Sequence, residues 1–244
     1  MNIILFDRDE RDGNTLMLTG RRAEHIIKIL KSKAGDILKT GIINGPTGTS
    51  TVRQIAGTTV ELLVGDHKTP PLPPLVDIVL ALPRPIMLKR VLAQVATFGT
   101  GHLFLINSRR VEKSFFSASL LEESKMKQRL LAGLEQAGAT LLPGITVHSR
   151  FRPFVEEDLP AMAPEYQAMI LAHPGSPCNL GQLLPPPLRG RILLIIGPEG
   201  GWVDFEVSLF TEQGARPFHL GPRILRVDSV VPSLLGQLDL LRRL

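Results

Sequence analysis

Two rhythms of hydrophobic and polar positions divide the chain. In residues 1–70 the apolar runs are short and closely spaced. Asn2–Phe6, Ile37–Ile43, Thr51–Ile55 and Thr59–Val64 each predict a strand, with turn clusters such as Asn44-Gly45-Pro46 between them. Ala23, Ile26, Ile27 and Leu30 fall at i, i+3, i+4 and i+7, which is one face of a helix. Thr19 is placed to be its N-cap and Gly35-Asp36 to end it. Short strands around one helix predict a small barrel.

The segment Thr69-Pro70-Pro71-Leu72-Pro73-Pro74 breaks this rhythm, because proline removes backbone donors and stiffens the chain. Beyond it, from residue 75 to 244, strands alternate with helices. Leu75–Leu82, Leu103–Ile106, Ile145–Val147, Tyr166–Ala172, Ile192–Ile196 and Pro217–Leu220 read as strands. Met87–Phe98, Leu120–Ala137, a helix capped by Asp204 and ended by Gly214, and Val230–Leu241 read as helices. This alternation predicts an α/β domain with a parallel sheet covered on both faces.

Composition narrows the class. With 43% hydrophobic residues the 244-residue chain has enough apolar content for a core, and intrinsic disorder is excluded. Cys178 is the only cysteine, which excludes a disulfide framework and predicts a reducing, cytoplasmic setting. No apolar run is longer than Ile192–Ile196, and no basic stretch leads into an apolar one, so neither a membrane span nor a secretory leader is expected. The net charge of +5 is placed unevenly: +2 in residues 1–70, +3 in 71–160 and zero in 161–244. A polyanionic partner held by the first two thirds is one reading, and a solubility surplus is the other.

Chemistry-bearing signals gather at three predicted strand ends, where open α/β sheets bind ligands. They are Leu171-Ala172-His173-Pro174-Gly175, Ile196-Gly197-Pro198-Glu199-Gly200-Gly201 and Leu220-Gly221-Pro222-Arg223-Ile224-Leu225-Arg226. Such loops donate backbone hydrogen bonds to a nucleoside-like ligand, with Leu and Ile flanking its flat ring. The P-loop Lys-Ser/Thr is missing, and Gly99-Thr100-Gly101 lacks the last glycine of a dinucleotide fingerprint. Scattered histidines and a lone thiol predict no metal centre and no covalent nucleophile. Arg21, His25, Lys28 and Lys31 fall on one side of the first helix, a phosphate-binding face or a solvated one. Arg109, Arg110 and Lys113 form a second basic cluster just past a strand end.

The pair Ile195-Ile196-Gly197-Pro198-Glu199-Gly200-Gly201-Trp202 and His219-Leu220-Gly221-Pro222-Arg223-Ile224-Leu225-Arg226-Val227-Asp228 closely resembles the bacterial methyltransferases acting on N3 of a uridine in 16S ribosomal RNA, of the SPOUT superfamily. Arg22–Asp36 looks like the family's His-x-x-x-Val-Leu-Arg helix with the Val-Gly-Asp that follows, Glu135-Gln136 like a family dipeptide and Leu171–Pro174 like its first cofactor loop. The resemblance implies a SPOUT-type α/β domain (75–244) with a C-terminal trefoil knot, preceded by a small PUA-like β-barrel (1–70). It implies S-adenosylmethionine held by Leu171, Ala172, His173, Ile196 to Gly201, Leu220, Gly221, Ile224 and Leu225. It further implies a homodimer acting on 16S rRNA within the small ribosomal subunit, which the PUA-like domain helps to grip; by their position in the sequence Arg21, Arg22, Lys28, Lys31, Arg109 and Arg110 are the residues expected to contact it. Arg226, at the end of the third loop, is expected to stabilise the uracil N3 anion, with Asp228 or Ser229 capping the last helix. Val227-Asp228-Ser229, Thr97-Phe98 and Ala139 stand where the family commonly has Thr-Glu-Thr, Glu-Leu and Arg. These departures leave two rivals open: a non-catalytic rRNA-binding or assembly protein, and a methyltransferase of this fold acting at another RNA position.

Overall fold

A computed structural model of the chain describes residues 2–244; Met1, the first residue of the expected domain 1–70, lies outside them. Two compact units are formed. The first is the chain up to Leu72 together with Leu131–Leu142, and the second is Pro73–Leu130 together with Pro143–Leu244. The second unit is therefore not the contiguous stretch 75–244.

The first unit contains β1 (Ile4–Phe6), β2 (Arg11–Asp12), β3 (Thr15–Leu18), β4 (Ile37–Ile42), β5 (Thr47–Ala56) and β6 (Thr59–Thr69). They form one sheet in the order β1-β4-β5-β6-β3-β2, in which only β1 and β4 run parallel. Alternation along β3 and β6 sends Leu16, Leu18, Val60, Leu62 and Val64 into a core with Phe6, Ala23 and Ile26. Helix α1 (Gly20–Glu24) continues into a wide, π-type turn, His25–Ile29. Thr19 occupies the N-cap position without a side-chain bond. The helix stops before Gly35-Asp36: Lys31 is left-handed (φ 52°), and the Ser32 amide reaches back to the Ile26 carbonyl. Lys31 thus lies beyond the helix that carries Arg21, His25 and Lys28. Leu131–Leu142 joins this unit through backbone bonds, Asn2 N to Glu135 O at 2.7 Å and Asn44 N to Thr140 O at 2.8 Å. The Thr140 hydroxyl also donates to Gly45 O at 2.6 Å.

The second unit holds β7 (Val76–Ala81), β8 (His102–Ile106), β9 (Gly144–His148), β10 (Ala168–Ala172), β11 (Ile192–Ile196) and β12 (Arg216–Phe218). They form a wholly parallel sheet, ordered β12-β10-β11-β7-β8-β9. Every residue of β7 and β11 is buried, so both faces of the sheet are covered there. The helices are α2 (Pro85–Thr97), α3 (Glu123–Ala137), α4 (Phe151–Pro153), α5 (Leu159–Met162), α6 (Leu180–Leu183), α7 (Asp204–Glu212) and α8 (Val227–Arg243); the last turns of α3 count with the first unit. Helices α4 and α5 are the two ends of one continuous helix, joined by a π-type stretch, Phe154–Asp158; neither it nor the single-turn α6 is predicted by the periodicity.

Two caps differ from expectation. Val203, not Asp204, is the N-cap of α7, and its amide is taken by the Glu206 carboxylate at 3.0 Å. Helix α8 starts three residues before the expected Val230, with Arg226 at the N-cap position, so Asp228 and Ser229 lie in its first turn and cap nothing. Asp228 instead accepts from Arg90 at 2.9 Å.

At the amino ends of the strands Asp77, 1% exposed, is fully occupied. It pairs with Arg191, accepts the Tyr166 hydroxyl at 2.6 Å and accepts the His102 amide at 2.8 Å. Burial, followed by the bond to Asp77, pushes the Tyr166 phenol well above its ordinary range, so it stays a donor.

Candidate functional site

Strands β12, β10 and β11 are neighbours, so the three glycine-bearing loops that follow them lie side by side at the carboxyl edge of the sheet. They enclose a cavity of about 240 Å³, to which α8 adds Val227 and Val230. All of the expected cofactor residues line it except Leu171, which is fully buried between Ile195 and Pro217 inside the sheet. Its side chain belongs to the core, and the ligand-facing part of that loop begins at Ala172. The cavity also takes in Pro174, Trp202, Phe218, His219 and Arg223, which the sequence reading did not assign to it. Trp202 directly follows Gly201, and proximity to that glycine pair was the available signal.

Local contacts explain the loop shapes. The Trp202 indole packs beneath Gly197, where a Cβ would lie 3.0 Å from its Nε1, and it meets Phe210 edge-on at 5.1 Å. In the third loop the Gly221 amide donates to His219 Nδ1 at 2.9 Å, and the His219 amide donates to Cys178 O at 2.8 Å. Gly221 has φ 103°, which side-chain-bearing residues avoid. The second loop is tied down by carboxylates. Buried Glu206 accepts the amides of Arg109 (2.7 Å) and Val203 (3.0 Å), Glu199 accepts the Arg84 amide (3.3 Å), and Arg110 donates to the Gly200 carbonyl. Thus the segment after β8 is fastened to the loop after β11.

The lining fits a nucleoside-type ligand. His173 and Trp202 line the cavity, and His173 Nδ1 and Trp202 Nε1 are shut off from solvent and have no hydrogen-bond partner among the described residues. Buried polar atoms of this kind are normally satisfied, so a polar ligand is the natural partner. Ile224, 88% exposed, and Leu225 stand at the mouth as apolar flanks.

The expected basic residues separate. Arg226 does not line the cavity, although Leu225 and Val227 on either side do; its side chain is 75% exposed, 3.8 Å from Asp228. Arg110 reaches the site through Gly200, while Arg109 is held by its backbone. In the first unit Arg21 makes a two-pronged pair with buried Glu135, both bonds 2.7 Å, which raises the guanidinium pKa and keeps it charged. Arg22 is committed internally, to Leu5 O at 2.9 Å and Glu10 at 2.5 Å. Lys28 makes a loose, exposed contact with Glu24 at 3.4 Å. Among the described residues no group of three or more His, Cys, Asp or Glu is placed to hold a metal ion, and no helix is long and apolar enough to cross a membrane.

A parallel α/β unit with a cavity built from three loops at its carboxyl edge defines a class of nucleoside-cofactor-binding proteins. Within it, an RNA methyltransferase domain model matches residues 70–238, and the chain belongs to that family. The ribosomal RNA small subunit methyltransferase E of Treponema pallidum is 35% identical over 238 residues, covering 94% of this chain and 87% of that protein. A protein of Borreliella burgdorferi named ribosomal RNA small subunit methyltransferase E 1 is 25% identical, covering 94% and 93%. The fold is shared with the crystal structure of the Neisseria gonorrhoeae ribosomal RNA small subunit methyltransferase E bound to S-adenosyl methionine. There the TM-score is 0.80 at 19% identity, over 99% of this chain and 98% of that one.

Proposed function

We propose that the protein transfers a methyl group from S-adenosylmethionine to N3 of a uridine in 16S rRNA of the small ribosomal subunit. The observation that carries this reading is the three-loop cavity with its two orphaned ring nitrogens, in a chain of the RNA methyltransferase family. S-adenosylmethionine, when bound, supplies an electrophilic methyl on a sulfonium. His173 and Trp202 would hold its polar groups, the backbone of the glycine loops would bind its nucleoside part, and Ile224 and Leu225 would shield it from water. Uracil N3 carries a proton and is a poor nucleophile. Holding it in line is worth up to about 7–11 kcal/mol in well-aligned systems. The Arg226 guanidinium, 75% exposed and only loosely paired with Asp228 at 3.8 Å, would swing over the uracil oxygens and stabilise the N3 anion left when the N3 proton passes to water.

The finer reading has the first unit as a PUA-like barrel that holds rRNA through Arg21, Lys28 and Lys31, and the second as a SPOUT domain with Arg109 and Arg110 at the RNA. Arg22 is better read as a structural pair. A C-terminal trefoil knot is supported by the β12-β10-β11 order and by the bridge between Asn179 and His219. A homodimer is the arrangement to which the exposed Ile86, Ile224 and Leu240 would contribute apolar contact surface.

The test is methyl transfer from labelled S-adenosylmethionine to small subunits from a strain without the modification, with the product mapped by mass spectrometry. One uridine carrying N3-methyl is expected, with turnover at saturating cofactor lowered at least about hundredfold in Arg226→Ala. Absence of label in the wild type, or label on another position, overturns the reading; wild-type turnover in Arg226→Ala removes Arg226 from it.

A further inference from the structure

The first unit contains a second cavity, about 430 Å³, separate from the three-loop site. It lies between α1 with its π-type turn and the last turns of α3. Its walls include His25, Lys28, Ile29, Ala132 and Gln136, with the Arg21–Glu135 pair at one side. We propose that it is a base-reading pocket for one unpaired nucleotide of the RNA substrate, a proposal that rests on the reading of this protein as an RNA methyltransferase.

Three observations point to a base rather than to a phosphate alone. His25 Nε2 is shut off from solvent and has no hydrogen-bond partner among the described residues. A buried ring nitrogen left in that state costs stability unless a ligand supplies the partner. Second, the charges at the cavity are balanced: Arg21 faces Glu135, and Lys28 faces Glu24. A balanced wall gives little net attraction to an anion and suits a neutral group with a hydrogen-bonding edge. Third, Ile29 is 69% exposed beside Ala132, so an apolar surface stands next to polar groups that both donate and accept, the His25 imidazole and the Gln136 amide. Unpaired RNA bases are recognised in this way, with the flat face against a side chain and the edge hydrogen-bonded. The volume falls within the ~300–1,000 Å³ common for ligand pockets.

The test is a titration of the full-length protein, with ¹⁵N-labelled histidine and the three-loop cavity saturated with S-adenosylhomocysteine, against each of the four nucleoside 5′-monophosphates. The His25 Nε2 resonance is expected to shift saturably with at least one of them, and Gln136→Ala, which leaves His25 in place, is expected to abolish the shift. In steady-state methylation of small subunits, His25→Phe and Gln136→Ala are expected to raise KM about tenfold with kcat unchanged, the loss of about one base-edge hydrogen bond. If none of the four nucleotides moves the resonance, the pocket does not read a base. A wild-type protein that transfers no methyl defeats the methyltransferase reading instead, and the titration then decides the pocket by itself.

Discussion

Single residues in this protein divide by whether a long-range partner has claimed them. Asp77 shows the consequence most clearly. Its carboxylate serves Arg191, Tyr166 and the His102 amide at once, and a Cβ on Gly101 would lie 2.5 Å from its Oδ1, so the site tolerates little change. Losing Asp77 strands the Tyr166 hydroxyl and Arg191, and because the Arg191 side chain is 36% exposed the cost falls at the low end of the about 3–5 kcal/mol for a buried pair. Asp77→Ala is therefore expected to lower unfolding free energy by about 3 kcal/mol in urea titrations. Its cofactor affinity should be unchanged, because Asp77 sits at the amino edge of the sheet and the cavity at the carboxyl edge. Nothing in the sequence marks Asp77 as special, because Tyr166 and Arg191 are brought to it by strand pairing. Arg22 is the converse: it reads as one more basic residue of an RNA-binding helix, yet Leu5 O and Glu10 already hold it.

Elements matter here through how they are fastened. Strand limits follow closely from apolar runs in the parallel sheet, where Ile192–Ile196 is a strand over its whole predicted length, but β5 and β6 run well past the predicted Thr51–Ile55 and Thr59–Val64 because their pairing carries polar residues into the sheet. Helix starts were less legible. Asp is favoured both at the N-cap and in the first turn, so Asp204 could be either, and the Glu206 carboxylate decided the matter by taking the Val203 amide. That same carboxylate ties the segment after β8 to the loop after β11. Glu206→Ala frees both amides and should weaken S-adenosylmethionine binding about tenfold by calorimetry. Glu206→Gln, which keeps one accepting oxygen, should fall between it and the wild type. Equal affinity in all three proteins would show that the loop holds its shape without Glu206.

For the molecule as a whole, the charge moves once the units are known. Counted with Leu131–Leu142, which brings Glu135, the first unit has 10 Lys and Arg against 9 Asp and Glu, net +1. The second has 18 against 14, net +4. Most of the excess is thus in the methyltransferase unit rather than in the expected barrel. Affinity for the small subunit should fall with rising salt, since each neutralised phosphate releases counterions. The log–log slope should flatten by roughly 0.7–0.9 per contact in Lys28→Ala and Lys31→Ala. Arg22→Ala should leave the slope alone and lower the melting temperature. Filter binding across a salt series separates these outcomes, and a salt-independent affinity rules out phosphate grip.

The sequence by itself determined most strands, though not β2 or β3, the longer helices, the break at the proline segment and the three glycine-bearing loops, because apolar periodicity and turn chemistry act between near neighbours. Only the tertiary structure decided the rest. Strand order brought loops from three distant segments to one cavity and left Leu171 in the core. Residues 131–142 went to the first unit because their backbone groups bond to Asn2 and Asn44. The His25 cavity exists only because α3 returns to α1. Each of these depends on pairings between residues far apart in the chain, and local pattern carries no trace of which distant partner will satisfy a given buried group.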